Sequence, residues 1–420
     1  MHRLNRRMYV GLLLAVIAAQ DLLAQRTYSW EEIREKFRVT NPTLLADEVN
    51  IDENRAQEIT AFLRPNPDMN VLLDQFTIFK TPNTPWRPLA GVLEAGGINY
   101  LYERQHKRDL RLESAKKATA ISQSSHEDLE RTMLFTLRTA FVNLLQAKAV
   151  LDIARQNLEY YNKTIEVSRS RYAAGDMAKI DLVRIELQLA QYQSDVVNAQ
   201  VSVRTAKIAL LTLLNDRTPV DRFDVTGTYD FKDALQPLEE YRQVAMETRP
   251  DLKAAVETVD KAKTDSRLAI ANGTSDPTWG FDIGRNPPLP SYVGFSASFP
   301  LRIFDKNQGE KLRTKLEIDR TNKLRLAAEA QVLSDVDSAF ATVASTVELL
   351  KPYRETYLKQ ATEVREIVTF SYQRGGASLL DFLDAQKEYR DTQLNYLNLI
   401  GSYLTAAGQL NLAVGREVIQ

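Results

Sequence analysis

SYQRGGASLLDFLDAQ, Ser371 to Gln386, places two adjacent glycines, then two aspartates one helical turn apart, in a chain that otherwise reads as helix for dozens of residues. The stretch has an earlier partner. RYAAGDMAKIDLVRIELQLAQY (Arg171 to Tyr192) aligns without a gap with SYQRGGASLLDFLDAQKEYRDT (Ser371 to Thr392), pairing Tyr172 with Tyr372, Gly175 with Gly375 and Asp181 with Asp381. After each glycine break the apolar residues keep a three-four step. In the first copy they are Leu182, Ile185, Leu189, Tyr192, Val196, Ala199, Val203, Ala206 and Leu210. In the second they run from Phe382, Ala385, Tyr389, Tyr396, Leu399 and Tyr403 to Ala406 and Leu410, with Thr392 filling the one missing place. Both are heptad seams, so both segments are coiled-coil helices.

The duplication extends upstream. NPTLLADEV (Asn41 to Val49) resembles RPDLKAAVE (Arg249 to Glu257), each after an amphipathic segment, WEEIREKF or LEEYRQVA, and PNPDMNV from Pro65 answers SDPTWGF from Ser275. Each half thus reads as short helices, two strand-like segments, a very long helix, a glycine break and a second long helix. Residues 25–220 form the first repeat, with strands about 68–80 and 88–98 and long helices about 98–174 and 181–215. Residues 221–415 form the second, with strands about 277–285 and 291–302 and long helices about 307–374 and 381–413.

Between Gly97 and Gly175 there is neither proline nor glycine, while Leu137, Phe141, Leu144, Leu151, Leu158, Tyr161, Ile165 and Tyr172 hold helical spacing. A helix of about 75 residues would reach about 110 Å, beyond any globular core. Its counterpart is interrupted only by Pro352, where a kink or local opening is expected. The strand candidates alternate clearly in the second copy: Trp279, Phe281 and Ile283, then, after RNPPLP, Val293, Phe295, Ala297 and Phe299. Apolar side chains at every second position suit a strand with one face to lipid and one to water. DMNVLLDQFTIF and PLAGVLEAGGINY, around the loop KTPNTPWR, alternate less cleanly, so a bulge or register shift is expected there. Four strands cannot close a barrel alone and open edges are not tolerated in lipid, so a membrane reading demands an oligomer; otherwise the strands form a small soluble sheet covered by helices.

The first residues, MHRLNRRMYVGLLLAVIAAQDLLAQ, join a basic start (Arg3, Arg6, Arg7) to an apolar run from Met8 to Ala19 and small residues suited to cleavage after Ala24. Residues 1–24 read as an export signal. With 54 basic and 55 acidic side chains, nothing in the charge balance calls for nucleic acid. There is no cysteine, which removes disulfides, thiolate nucleophiles, thiolate metal sites and lipid attachment through a cysteine. His106 and His126 lack the three- or four-residue spacing of a shared metal face, and Met69, Met133, Met177 and Met246 are scattered. No phosphate loop, nucleophile elbow or paired histidine–carboxylate motif occurs, so neither an enzyme nor a cofactor is expected.

The duplicated order, the NP and RPDL helix starts, the SFPLRIFDKNQGEKLRTK entry into a long helix and the paired glycine breaks together resemble the TolC family of outer-membrane efflux proteins over about Thr27 to Gly415. LRPNPDMNV, LEAGGINYLYERQ and PLRIFDKNQGE are most similar to its CzcC/CusC-like heavy-metal branch. The resemblance implies a mostly α fold with a small β part. Three copies would form a helical α-barrel from coiled-coil hairpins and a twelve-stranded transmembrane β-barrel in the outer membrane, extending into the periplasm of a Gram-negative bacterium. The implied partners are a periplasmic adaptor (membrane fusion) protein, an inner-membrane RND-type pump and outer-membrane lipid, with small solutes or metal cations as cargo. A type I secretion duct uses the same fold, and a periplasmic coiled-coil scaffold without a barrel is a third reading. The strand face separates the last: Trp279, Phe281, Ile283, Val293, Phe295 and Phe299 meet lipid in a barrel, or the protein's own helices in a scaffold.

The resemblance places the glycine breaks at hairpin tips, with Arg171, Tyr172, Gly175, Asp181, Tyr372, Gly375 and Gly376 in the turn and in adaptor docking. It implies that Asp381 and Asp384 line the pore constriction as stacked carboxylate rings. Helix capping is the competing role for Asp381, as for Asp181, which has Arg184 three residues on; capping explains nothing for Asp384. Tyr372 and Asp181 match a tip hydrogen bond of the family, whereas Ala377 and Ile180 stand where a second, arginine-based lock would be.

Overall fold

The computed structural model describes residues 26–76, 79, 92–233, 235–287 and 289–419. The export signal expected over 1–24 and the loop at 80–87 lie outside them. The described chain divides into two units, one of residues up to 46, 127–249 and 331–420, the other of 47–126 and 250–330.

The first unit begins with β1 (Arg26–Tyr28), which pairs in parallel with β4 (Phe223–Val225), Tyr28 opposite Val225. These short strands open the two repeats and escaped sequence reading because three residues carry no period. Next comes α1 (Trp30–Thr40), started by a capping box in which Ser29 and Glu32 satisfy each other's backbone amides. Ile33 and Phe37, one turn apart, are buried with Tyr28, Leu137, Phe141, Leu144, Leu210, Leu214 and Phe223 in one apolar cluster. The long helices passing through this unit are α3 (Lys107–Ala173), α4 (Lys179–Leu213), α7 (Gln308–Pro352), α8 (Leu358–Gln373) and α9 (Leu379–Val414); α3 and α7 have residues in both units. The heptad seams are the buried lines: Ile185, Tyr192, Ala199 and Leu210 on α4, and Phe382, Ala385, Tyr403, Ala406 and Leu410 on α9. By length and composition α3 carries one stretch apolar enough to cross a membrane, yet Leu137, Phe141 and Leu144 of this helix are spent on the core cluster.

The two repeats fasten their returning helices alike. Thr40 donates to the Leu214 carbonyl at 2.8 Å, and Thr248, ending α5 (Leu238–Thr248), donates to the Val414 carbonyl at 2.7 Å. The next residues do the same one carbonyl earlier: Asn41 to Leu213 at 3.0 Å and Arg249 to Ala413 at 3.2 Å. The last carbonyls of a helix have no partner within it, so each latch supplies donors that water would otherwise provide.

The second unit contains most of α2 (Pro42–Phe62), all of α6 (Pro250–Asn272) and a four-stranded antiparallel sheet in the order β2-β3-β5-β6. Its strands are β2 (Asp68–Asp74), β3 (Leu93–Leu101), β5 (Thr278–Arg285) and β6 (Tyr292–Ser298). Among the described residues no bulge interrupts this pair: β2 and β3 pair continuously from Asp68↔Asn99 to Asp74↔Leu93. Alternation was blurred instead by Gly96 and Gly97. A Cβ at Gly97 would lie 2.9 Å from the Phe281 carbonyl oxygen, so the glycine serves close strand approach.

Several boundaries differ from expectation for identifiable reasons. The first long helix starts at Lys107, not 98, because β3 continues to Leu101 opposite Thr278, and Gln105 and His106 then take left-handed backbone angles. The strand expected to 80 ends at Asp74, followed by Gln75 at φ 67°. The strand expected to 302 ends at Ser298, before Pro300, which has no amide to donate; Phe299 lies just past it. The helix expected over 307–374 is broken after Pro352 by a π-helical turn, Tyr353–Tyr357.

Candidate functional site

Two hairpin tips in the first unit carry the residues singled out by the sequence. At the first, the Gly175 amide donates to the Tyr172 carbonyl at 3.0 Å and the Asp176 amide to the Arg171 carbonyl at 2.9 Å. The second repeats this pattern: Gly375 to Tyr372 at 3.1 Å and Gly376 to Ser371 at 2.8 Å. This is the paired bonding that ends a helix on a left-handed residue, and φ is +86° at Gly175 and +81° at Gly375. No atom lies within 4 Å of a Cβ at either position, so it is the backbone angle that requires glycine. Gly376 differs, since its φ is not positive and a Cβ would meet only the movable Ser371 hydroxyl at 2.9 Å. Of the adjacent pair, only the first glycine makes the turn.

The returning helices start unequally. On α9 the Ser378 hydroxyl accepts from the Asp381 amide at 3.2 Å, while the Asp381 carboxylate accepts from the Ser378 hydroxyl at 2.7 Å and amide at 3.0 Å. These bonds hold the Asp381 pKa below its usual range, the hydroxyl more than the amide. Asp381 is therefore the third residue of a capping box. On α4 the corresponding N-cap is Ala178, which has no side-chain oxygen, so no such box forms. Asp181 is not a side-chain cap, contrary to expectation; it only adds negative charge to the first turn. Asp384 is exposed beside Asp381 on α9, on the side opposite the buried Phe382, Ala385 and Gln386.

Beneath the tips, Tyr161, Ile165, Ile185, Tyr192, Tyr372 and Phe382 form a second apolar cluster. Tyr372 stacks on Phe382 with centroids 4.8 Å apart, and Tyr161 on Tyr192 at 4.5 Å. Arg171 ties the hairpins together, donating to the Tyr372 carbonyl at 2.9 Å with its guanidinium 5.4 Å from the Tyr372 ring. No hydrogen bond joins Tyr372 to Asp181 among the described residues; burial raises the phenol's pKa, the nearby Arg171 lowers it, and Asp181 raises it by charge alone. The two tyrosines have diverged: Tyr172 is 41% exposed and Tyr372 only 7%, so Tyr372 is a core residue of this cluster. Further up the bundle, sequence reading missed Arg365, whose guanidinium lies between the rings of Tyr160 (4.4 Å) and Tyr389 (3.6 Å) and so joins α3 to α9. Its two tyrosines sit on other helices, so the packing leaves no local signal in the sequence.

In the second unit the sheet separates its faces. Met69, Val71 and Leu73 of β2, Ile98 and Tyr100 of β3, Trp279, Phe281 and Ile283 of β5, and Val293, Phe295 and Ala297 of β6 share one side by register. Phe281 meets Phe295 at 5.4 Å. Trp279, Phe281, Ile283, Val293, Phe295 and the flanking Phe299 are all exposed, so none is buried against the protein's own helices. The other side carries Asp68, Asn70, Asn99, Asp282, Ser296 and Ser298 among Gly97, Gly280, Gly284 and Gly294, with Leu72, Leu93, Leu101 and Tyr292 as its large apolar members, and Glu94 and Arg285 are the charged pair at one end of the apolar side. No three or more histidine or carboxylate side chains gather to hold a metal ion among the described residues, and His126 instead hydrogen-bonds Asp47 at 2.9 Å.

A sheet with one mostly apolar face left uncovered, together with paired coiled-coil hairpins ending in carboxylate-bearing tips, fits a membrane channel protein. The outer membrane efflux protein model matches residues 104–216 and 241–416. The chain belongs to that family: it is an efflux channel of the outer membrane that extends into the periplasm. Among curated relatives, it is 21% identical to the cobalt-zinc-cadmium resistance protein CzcC of Cupriavidus metallidurans, over 90% of this chain and 87% of that protein. It is 19% identical to the outer membrane protein TolC of Escherichia coli K12, over 90% and 82%. A solved structure of CusC, described with its transmembrane channel formation, superposes with a TM-score of 0.78 at 16% identity over 94% of both chains.

Proposed function

We propose that three copies of this chain form a passive conduit for small solutes, metal cations foremost, and that the conduit receives them from a periplasmic adaptor and an inner-membrane RND-type pump. The observation that carries the assembly is the four-stranded sheet with an exposed apolar face and two edges, β2 and β6, that pair with no further strand among the described residues. Lipid tolerates no open strand edge, so β6 of one copy must pair with β2 of the next, and the alternation of strand directions makes that junction antiparallel like the rest. Two copies would give a barrel whose interior side chains fill it; three give twelve strands and room for solute. The long helices offer matching surfaces. Ile180, Val183, Leu187, Val197, Val201 and Ile208 form a second, exposed seam on α4, and Val364, Ile367 and Phe370 lie exposed on α8.

Asp381 and Asp384, exposed near the tip, are proposed as the constriction that favours cations. Arg171, Tyr172, Gly175, Asp181, Gly375 and Gly376 mark the turns offered to the adaptor, with Tyr372 as their support from within. The metal reading draws on the similarity to CzcC, named for cobalt, zinc and cadmium resistance. The test is single-channel recording of the purified full chain in planar bilayers after its mass has been measured in detergent. A trimer that inserts and conducts is the expected result; a species that never conducts sinks the conduit.

A further inference from the structure

We propose that residues 299–304, between β6 and α7, are an anchor that embeds in the phospholipid interface beside the barrel, a reading that rests on the sheet's apolar face meeting lipid. Leu301 is 81% exposed, Phe304 90% and Ile303 64%, and with Phe299 they follow directly from the apolar face of β6. The patch thus continues a surface already assigned to lipid. The exposure does not come from a loose loop. The Ser275 hydroxyl holds the Pro300 carbonyl at 2.5 Å, the Gln308 side chain donates to the Phe304 carbonyl at 3.2 Å, and Asn307 donates to the Ala269 carbonyl of α6 at 2.8 Å. A backbone pinned on both sides presents three large apolar side chains outwards, which in water alone is unfavourable.

Arg302 stands between Leu301 and Ile303 and is partly exposed. A guanidinium between apolar prongs fits a phospholipid, with acyl chains around the prongs and a headgroup phosphate on the arginine. The chain contains no cysteine.

The same lack of cysteine makes the test clean. Leu301→Cys, Phe304→Cys and, as a reference on the sheet, Phe295→Cys are each nitroxide-labelled in the full chain. They are then reconstituted in phosphatidylethanolamine–phosphatidylglycerol vesicles and probed by oxygen, which enters lipid, and by a water-soluble nickel chelate. Labels at 301 and 304 are expected to favour oxygen over nickel severalfold, as at 295. Ready access to nickel, or shielding from both reagents by a second copy, overturns the anchor while 295 still reports lipid; water at 295 as well overturns the barrel reading with it. Adding Arg302→Gln to the Phe304→Cys protein should shift the label towards nickel, and an unchanged ratio overturns the phosphate contact.

Discussion

The two glycine breaks look alike in sequence, but backbone angle separates their members. At Gly175 and Gly375 a side chain must adopt a left-handed conformation, so Gly175→Ala or Gly375→Ala should each destabilise the hairpin by about 1–2 kcal/mol. Gly376→Ala, at an ordinary angle with only a rotatable hydroxyl to displace, should stay within about 0.5 kcal/mol, as read by thermal unfolding of the trimer. The aspartates divide too. Asp381 has a folded pKa lowered by Ser378, so its capping contribution is complete above the unfolded value near about 3.9 and is lost as pH falls through the folded value. In an Asp384→Asn channel, cation preference should therefore persist below the ordinary carboxylate range and then disappear; reversal potentials across a pH series measure this, and early loss would remove Asp381 from the constriction. Asp384→Asn itself should weaken cation preference without altering stability, because no cap depends on it.

At the scale of elements, the matching latch within each repeat explains why threonine precedes both helix starts. Thr248→Val removes one donor from the Val414 carbonyl and should cost about 0.5–1.5 kcal/mol. Arg249→Met should cost more, about 1.5–3 kcal/mol, because the buried guanidinium gives up its charged hydrogen bond to Asp335 at 2.9 Å as well as the one to the Ala413 carbonyl, while Asp335 stays partly exposed and keeps Gln331. Denaturant midpoints in that order support the latch, and equal midpoints would reduce it to packing. The long helices and their seams were legible because a heptad repeats many times. The latches were not, since Thr40 and Leu214 lie far apart in sequence and meet only after the helices pack.

For the whole molecule the decisive feature is the two-faced sheet. Phe281→Arg puts a charge on the face assigned to lipid and should cost about 2–4 kcal/mol of membrane folding per chain if the site lies near the bilayer midplane. Helical content by circular dichroism should be retained. Asp282→Asn, one residue along on the polar face, should leave insertion unchanged. Recovery of each variant in vesicle-bound form distinguishes them, and equal recovery would contradict the facing.

What the sequence determined by itself was everything carried by repetition: the duplication, the long helices, the seams and the alternation of β5 and β6, because each is a local period that side-chain direction turns into a face. Only the tertiary structure decided which of two matching residues does what. Tyr372 is buried and Tyr172 exposed, Asp381 caps and Asp181 does not, and β2 pairs without a bulge despite its broken pattern. Those outcomes depend on which neighbour fills the space beside a residue, and that neighbour comes from distant parts of the chain.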